Sequence, residues 1–160
     1  MTSAIDTNIL LDILIPDKKY AESSKNLIEK FNEKGKLQIC EVVYSELASQ
    51  FPLSEELELF LQDTGIILVP SDRKSLSIAG ERWKKYAAGR SPSLQCDVCG
   101  RELSIECPQC CNTISCRQHL ISDFIIGANA LTLADLLLSR DRGYYKTYFE
   151  DLVVKDDNEE

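Results

Sequence analysis

The 160 residues suffice for one domain and a small appendage. With 44% hydrophobic and 28% charged residues, the composition is that of a globular chain rather than a disordered one. The formal net charge of -8, from 18 Lys+Arg against 26 Asp+Glu, excludes a protein held on nucleic acid mainly by a broad basic field. It leaves open a protein that reaches phosphates through bound metal ions.

Ala4-Ile5-Asp6 reads as a short strand ending in a carboxylate, and Thr7-Asn8 as the cap of a helix from Ile9 to Leu14. Pro16 stops that helix. Tyr20, Ser24, Leu27, Ile28 and Phe31 recur at three- to four-residue spacing and predict a second helix, ended by Gly35. Leu37 to Cys40 is a strand candidate. Val43, Tyr44, Leu47 and Phe51 mark a short helix, and Ser54 caps another. The apolar run at 66–69, bounded by Gly65 and Pro70, reads as a strand buried on both faces.

Ser71-Asp72 opens a helix with Leu76, Ala79, Trp83 and Tyr86 on its inner side, and residues 89–93 form a linker. Six of the seven cysteines then fall within residues 96–116. Residues 120–138 are apolar enough to suggest a membrane span, but Asp123 and Asp135 lie inside them. Each would cost ~2.5–3.5 kcal/mol at a bilayer centre. The stretch is read instead as a buried helix followed by a buried strand at Leu136-Leu137-Leu138, with no membrane association. A short aromatic helix at 144–148 and a last strand near Leu152-Val153-Val154 complete the pattern.

Strands alternating with helices predict an α/β fold with a mostly parallel sheet covered on both faces. The predicted organisation is one α/β domain from residues 1–90 and 117–155, a cysteine-rich insert at 91–116, and an acidic disordered tail at 156–160. No secretory signal is apparent, and the cysteine count is odd, which argues against a disulfide framework and for a reducing, cytoplasmic setting. With His119 the only histidine, a Ser-His-Asp triad is a poor reading. Neither of the glycine-rich phosphate loops is present.

Sites in open parallel sheets form at the carboxyl ends of the strands. Asp6 and Asp141 sit at two such ends. Glu46 and Asp123 lie beside the buried faces of their helices. Acids at such positions cost several kcal/mol unless paired or bound to a cation, and no matching set of buried basic residues is evident. Four convergent carboxylates holding a hard divalent ion, Mg²⁺ or Mn²⁺, account for them. Such an ion activates water and stabilises charge in phosphodiester hydrolysis.

The insert carries Cys96-x2-Cys99-x7-Cys107-x2-Cys110. Each CxxC makes a tight turn that aims two thiolates at one tetrahedral ion, so the four predict a structural Zn²⁺ site. Gly100 follows the first pair, where a metal knuckle requires a left-handed residue. Cys111, Cys116 and His119 are alternative ligands. Cys40 reads as a buried small hydrophobe.

Four segments resemble one family. Ala4-Ile5-Asp6-Thr7-Asn8-Ile9-Leu10-Leu11 resembles the opening of a PIN-domain ribonuclease, and Tyr44-Ser45-Glu46-Leu47 its second acidic motif. Residues 123–130, from Asp123, resemble the third, and residues 138–145, around Asp141, the fourth. All four stand in order, and the branch they look most like is that of the VapC-like toxins of toxin–antitoxin pairs. The resemblance implies a three-layer α/β/α domain and a metal-dependent endoribonuclease. It implies Mg²⁺ or Mn²⁺ on Asp6, Glu46, Asp123 and Asp141, with Asn8 or Thr7 orienting the first carboxylate or the water. It also implies an RNA substrate, a homodimer and an antitoxin partner. A housekeeping RNA-processing nuclease and a non-catalytic zinc-containing binding module are the rival readings.

Arg140 and Arg142 flank Asp141 and are candidate phosphate contacts. Tyr144, Tyr145 and Tyr148 either pack the last helix or, with the nearby basic residues, form a strip that stacks on single-stranded RNA. Asp12 is expected at the surface or behind the site, Asp135 as a cap, and Asn129 near the site.

Overall fold

The computed structural model describes residues 1–15, 18–89, 94–95, 102–114 and 120–156. The chain opens with β1 (Thr2–Ile5), α1 (Thr7–Leu14), α2 (Ala21–Asn32), β2 (Lys36–Ile39), α3 (Glu41–Ala48), α4 (Ser54–Thr64), β3 (Ile67–Leu68) and α5 (Arg73–Gly89). Short strands β4 (Leu94–Gln95), β5 (Glu102–Leu103), β6 (Ile105–Glu106) and β7 (Thr113–Ile114) follow. Then come α6 (Ile121–Leu133), β8 (Leu136–Leu138), α7 (Arg142–Tyr148) and β9 (Val154–Lys155).

Five strands form one sheet in the order β3-β2-β1-β8-β9, and every pairing in it is parallel. The register sets Ala4 between Gln38 and Leu137. The central strands are buried along almost their whole length, Gln38 of β2 included, as expected for a parallel sheet covered on both faces. Ile5, Leu37, Ile39, Leu137 and Leu138 are almost fully buried. The small strands between α5 and α6 pair only with one another, as the antiparallel hairpins β4–β5 and β6–β7.

Several expectations are corrected. The run at 66–69 is not a strand buried on both faces. Ile66 is buried, but β3 is a two-residue edge strand with Ile67 45% and Leu68 42% exposed. Asp6, not Thr7-Asn8, caps α1, its carboxylate accepting from the Thr7 amide at 2.8 Å. Asp135 caps no helix: its carboxylate and amide bond the amide and carbonyl of Thr2, at 2.7 and 2.8 Å, fastening α6–β8 to the start of β1. Asp156, expected in the disordered tail, is buried beside β9; residues 157–160 lie outside the described residues.

The tyrosines of α7 pack inward and form no exposed stacking strip. Tyr144 and Tyr145 are buried, and Tyr148 is half-buried. Tyr144 and Tyr148 pack on Phe124, whose ring meets them and Trp83, Tyr86 and Phe149 at centroid separations of 5.3–6.2 Å. Tilted and edge-on aromatic pairs of this kind add ~0.5–1.5 kcal/mol each beyond burial. This cluster joins α5, α6 and α7 and fixes the helices that carry Asp123 and Asp141.

Candidate metal centre

The parallel topology places the carboxyl ends of β1, β2 and β8 along one edge of the sheet. Asp6 directly follows β1, its amide still bonded to the Leu138 carbonyl at 3.0 Å. Asp141 lies three residues beyond the end of β8 and caps α7 through the Tyr144 amide at 3.3 Å. Asp123 sits in the first turn of α6 and accepts from the Leu120 amide at 2.8 Å. Three of the four acids thus lie at helix N-termini, where unpaired amides and the helix dipole favour negative charge. Glu46 comes from α3, the helix that follows β2.

All four line one cleft of about 250 Å³, together with Thr7, Asn8, Leu11, Ile126, Tyr144 and Tyr145. No lysine or arginine among the described residues lines it. Among the described residues no three His, Cys, Asp or Glu side chains are already closed into a metal-ligating group. Mg²⁺ keeps several waters and takes only a few direct carboxylates, so a site for it needs no closed cage of protein ligands. An all-oxygen donor set without histidine fits Mg²⁺ or Mn²⁺ and does not favour zinc.

A tight network orients these acids. One Asp6 oxygen, Oδ2, accepts from Asn8 Nδ2 at 2.8 Å, from Ser139 Oγ at 2.6 Å and, more weakly, from the Tyr145 hydroxyl at 3.4 Å. The other oxygen accepts from the Thr7 amide and faces the same cleft. The Thr7 hydroxyl donates to Glu46. Ser139 Oγ also accepts from the Asp141 amide at 3.1 Å and from Asn8 Nδ2 at 3.2 Å, and so links two of the acids. Asn8 thus bonds the Asp6 carboxylate, while the Thr7 hydroxyl bonds that of Glu46.

Ser139 and Tyr145 are contributors that sequence reasoning missed. Ser139 is fully buried at the end of β8, 133 positions from the acid that it holds. The one available signal was a serine interrupting the apolar run beside Asp141. Asn129, expected near the site, is instead a strut from α6: its amide donates to the Val69 carbonyl and Ser71 Oγ. Arg140 turns away from the cleft. Its guanidinium pairs with Asp12 at 2.7 Å and lies 4.1 Å from the centre of the Tyr20 ring. Asp12 is accordingly a buried acid rather than a surface one. The Arg142 side chain lies outside the described residues, as do Cys96, Cys99, Cys116 and His119.

Burial pushes the Asp6 carboxyl up to about 6, with the charges of Asp123 and Glu46 adding to the rise; the Ser139 and Thr7 bonds oppose it. A carboxyl raised on folding contributes stability that is fully present below its unfolded value, near 4. That contribution is lost as pH climbs through about 6. The rise corresponds to ~3 kcal/mol. Without added Mg²⁺ or Mn²⁺, the protein is expected to melt at a lower temperature at pH 7 than at pH 5, with Asp6→Asn shrinking the difference. Calorimetry at the two pH values checks this, and an equal or higher melting point at pH 7 would refute it.

The PIN domain family profile matches residues 4–150, a span that contains all four acids. The chain belongs to the PIN-domain family. Two solved structures share its fold over nearly the full length. VapBC2 from Rickettsia felis, solved bound to a DNA fragment from its promoter, is 16% identical with a TM-score of 0.60, covering 97% of this chain and 98% of the other. VapBC-1 from nontypeable Haemophilus influenzae is 15% identical with a TM-score of 0.63, covering 99% and 100%. No curated protein sequence matches the chain significantly. At these identities the likeness establishes the PIN fold, an α/β architecture on a parallel five-stranded sheet.

Proposed function

We propose that this PIN-domain protein is a metal-dependent endoribonuclease that hydrolyses RNA phosphodiester bonds. Asp6, Glu46, Asp123 and Asp141 would hold Mg²⁺ or Mn²⁺. The observation that carries this reading is the cleft itself. A buried carboxyl is pushed up to about 6 beside two further acids, and among the described residues no cationic side chain lines the cleft they share. A divalent ion held by these acids would neutralise that repulsion and would supply water activation and charge stabilisation at the phosphate. The chain's own part is orientation: Asn8, Ser139 and Thr7 fix the Asp6 and Glu46 carboxylates through direct hydrogen bonds.

The natural setting proposed is a type II toxin–antitoxin pair in the cytoplasm, with a homodimeric toxin and an antitoxin as partner. Two VapBC structures among the fold neighbours support it. A small reading frame directly upstream would separate this role from housekeeping RNA processing.

The insert would carry one structural Zn²⁺ on Cys96, Cys99, Cys107 and Cys110. Cys107 and Cys110 flank the turn between β6 and β7, and the Cys111 amide closes that turn on the Cys107 carbonyl at 2.9 Å. The Cys107 thiol is lowered by hydrogen bonds from the backbone of Cys110 and Gln109, as a metal-binding thiolate requires. Cys111 adopts φ 57°, the left-handed conformation that Gly100 was expected to supply after the first pair. A non-glycine residue held in that conformation supports Cys111 as the turn residue of a knuckle, with Cys110 as the ligand.

Purified protein is expected to contain about one zinc per chain by elemental analysis and to cut a mixed structured RNA pool only after Mn²⁺ is added. Cleavage undiminished without Mn²⁺ or Mg²⁺ would refute the metal-dependent reading. Absence of zinc from folded, active protein would refute the insert assignment.

A further inference from the structure

Arg140 stands between the two residues that organise the metal centre, Ser139 and Asp141, yet its side chain leaves the cleft. Its Nη2 meets Oδ1 of Asp12 at 2.7 Å. Asp12 is only 4% exposed, and its other oxygen accepts from Ser24 Oγ of α2 at 2.6 Å. The Tyr20 ring covers the guanidinium face at 4.1 Å. The Arg140 amide donates to Asn8 Oδ1 at 3.3 Å, and Asn8 in turn donates to Asp6.

The segment 139–141 is therefore held at two points of one rigid helix. Asn8 near the start of α1 grips its backbone, and Asp12 near the end of α1 grips its side chain. Asp6 caps that same helix. The charge balance points the same way. Asp12 is almost fully buried and its carboxylate would be left without a cation if the contact opened, so the Asp12–Arg140 pair resists opening. A guanidinium committed to that carboxylate and covered by an aromatic ring is poorly placed to grip phosphate.

Resting on the nuclease reading above, we propose that Arg140 is a positioning residue. Through Asp12 it locks the β8–α7 loop onto α1 and so sets Asp141 opposite Asp6 for the shared cation. It is not an RNA contact, which corrects the expectation drawn from its place beside Asp141.

The test compares wild type with Arg140→Ala, Arg140→Lys, Asp12→Asn and the Asp12→Asn/Arg140→Ala double variant. Four quantities are measured: Mn²⁺ affinity of the RNA-free protein by calorimetry, binding of a labelled RNA in Ca²⁺ at several salt concentrations, kcat and KM in Mn²⁺, and the melting point. Partners one step removed from a metal ligand typically matter 10–100-fold. Arg140→Ala is expected to weaken Mn²⁺ binding and kcat by about that factor. RNA affinity and its salt dependence should stay within about twofold.

Asp12→Asn should act in the same direction, the double variant should be no worse than Arg140→Ala alone, and Arg140→Lys should recover part of the loss. If Arg140→Ala does not fold, Asp12→Asn and Arg140→Lys carry the comparison.

Weakened RNA binding with a shallower salt slope, Mn²⁺ affinity intact and Asp12→Asn silent would overturn the proposal in favour of a phosphate contact. A lower melting point with Mn²⁺ affinity and kcat unchanged would overturn it in favour of a merely structural pair. Should wild type bind Mn²⁺ but cut no RNA, the nuclease reading fails, while the Mn²⁺ comparison still decides whether the clamp positions the acids.

Discussion

Asp141→Asn is expected to reduce Mn²⁺-dependent RNA cleavage by at least ~100-fold while moving the melting point by no more than a few degrees. The separation of the two effects follows from where Asp141 stands. Its carboxylate is exposed, so no buried charge is created or removed. Its structural duty is to cap α7 by accepting from the Tyr144 amide, and Asn serves that duty about as well. What Asn does not keep is the negative charge that a hard cation needs. Loss of the favourable charge at a helix N-terminus costs ~0.3–1 kcal/mol, which for a chain of this size is about 1–4 °C.

The loss of a direct oxygen ligand exceeds the 10–100-fold typical of residues one step further out. Quantified cleavage beside a melting curve for each protein checks both halves. Full activity in folded Asp141→Asn would remove Asp141 from the proposed site. A collapse of stability would show that its structural role is larger than capping. Asp6→Asn is a poorer probe, because Asp6 is buried and carries bonds from Thr7, Asn8 and Ser139 that an amide cannot all satisfy in the same geometry.

The four acids were legible in the sequence because each sits where local pattern fixes its place: after an apolar strand, or one residue from the buried side of a helix. Parallel topology then brings them together without further information. The partners of those acids were not legible. Ser139 reaches Asp6 across 133 positions, and Thr7 reaches Glu46 across 39. A serine or threonine next to an acid carries no periodic signal.

The course of the Arg140 side chain was not legible for a related reason. Closeness in sequence to Asp141 suggested phosphate, while its contact with Asp12, 128 positions away, is set by the pairing of β8 with β1. The run at 66–69 misled because hydrophobic continuity cannot distinguish a central strand from an edge strand. Strand order decides that, and β3 ends the sheet with one neighbour only.

Gly127→Ala is expected to destabilise the protein by up to about 2 kcal/mol, although alanine is the better helix former. Gly127 lies within α6, one turn beyond Asp123. A Cβ there would lie 2.7, 2.8 and 3.0 Å from Cζ, Cε2 and Cε1 of Phe149. The ring has little room to retreat. It is fully buried, with Tyr145 at 5.9 Å, Phe124 at 6.2 Å and Tyr144 at 6.3 Å between ring centroids.

The Arg82 guanidinium covers the same ring at 4.4 Å, and is itself held by the Tyr148 carbonyl at 2.9 Å and Asp151 at 2.8 Å. Overpacking a tight core costs ~1–3 kcal/mol, against ~1 kcal/mol gained from helix propensity, so the clash decides the sign. Gly80 supplies the control. It is exposed in the middle of α5, and a Cβ there meets nothing within 4 Å. Gly80→Ala should therefore gain the ~1 kcal/mol that Gly127→Ala forfeits, raising the melting point by about 2–4 °C.

Gly127→Val, which adds bulk and loses the propensity gain, should be worse than Gly127→Ala. Because Phe149 packs against Tyr145, and Tyr145 reaches Asp6, any displacement that relieves the clash is expected to disturb the acid cleft as well. Melting curves for the three variants decide the matter: Gly127→Ala stabilising to the same extent as Gly80→Ala would show that the Phe149 ring is free to move, and that the aromatic cluster does not hold the cleft rigidly from behind.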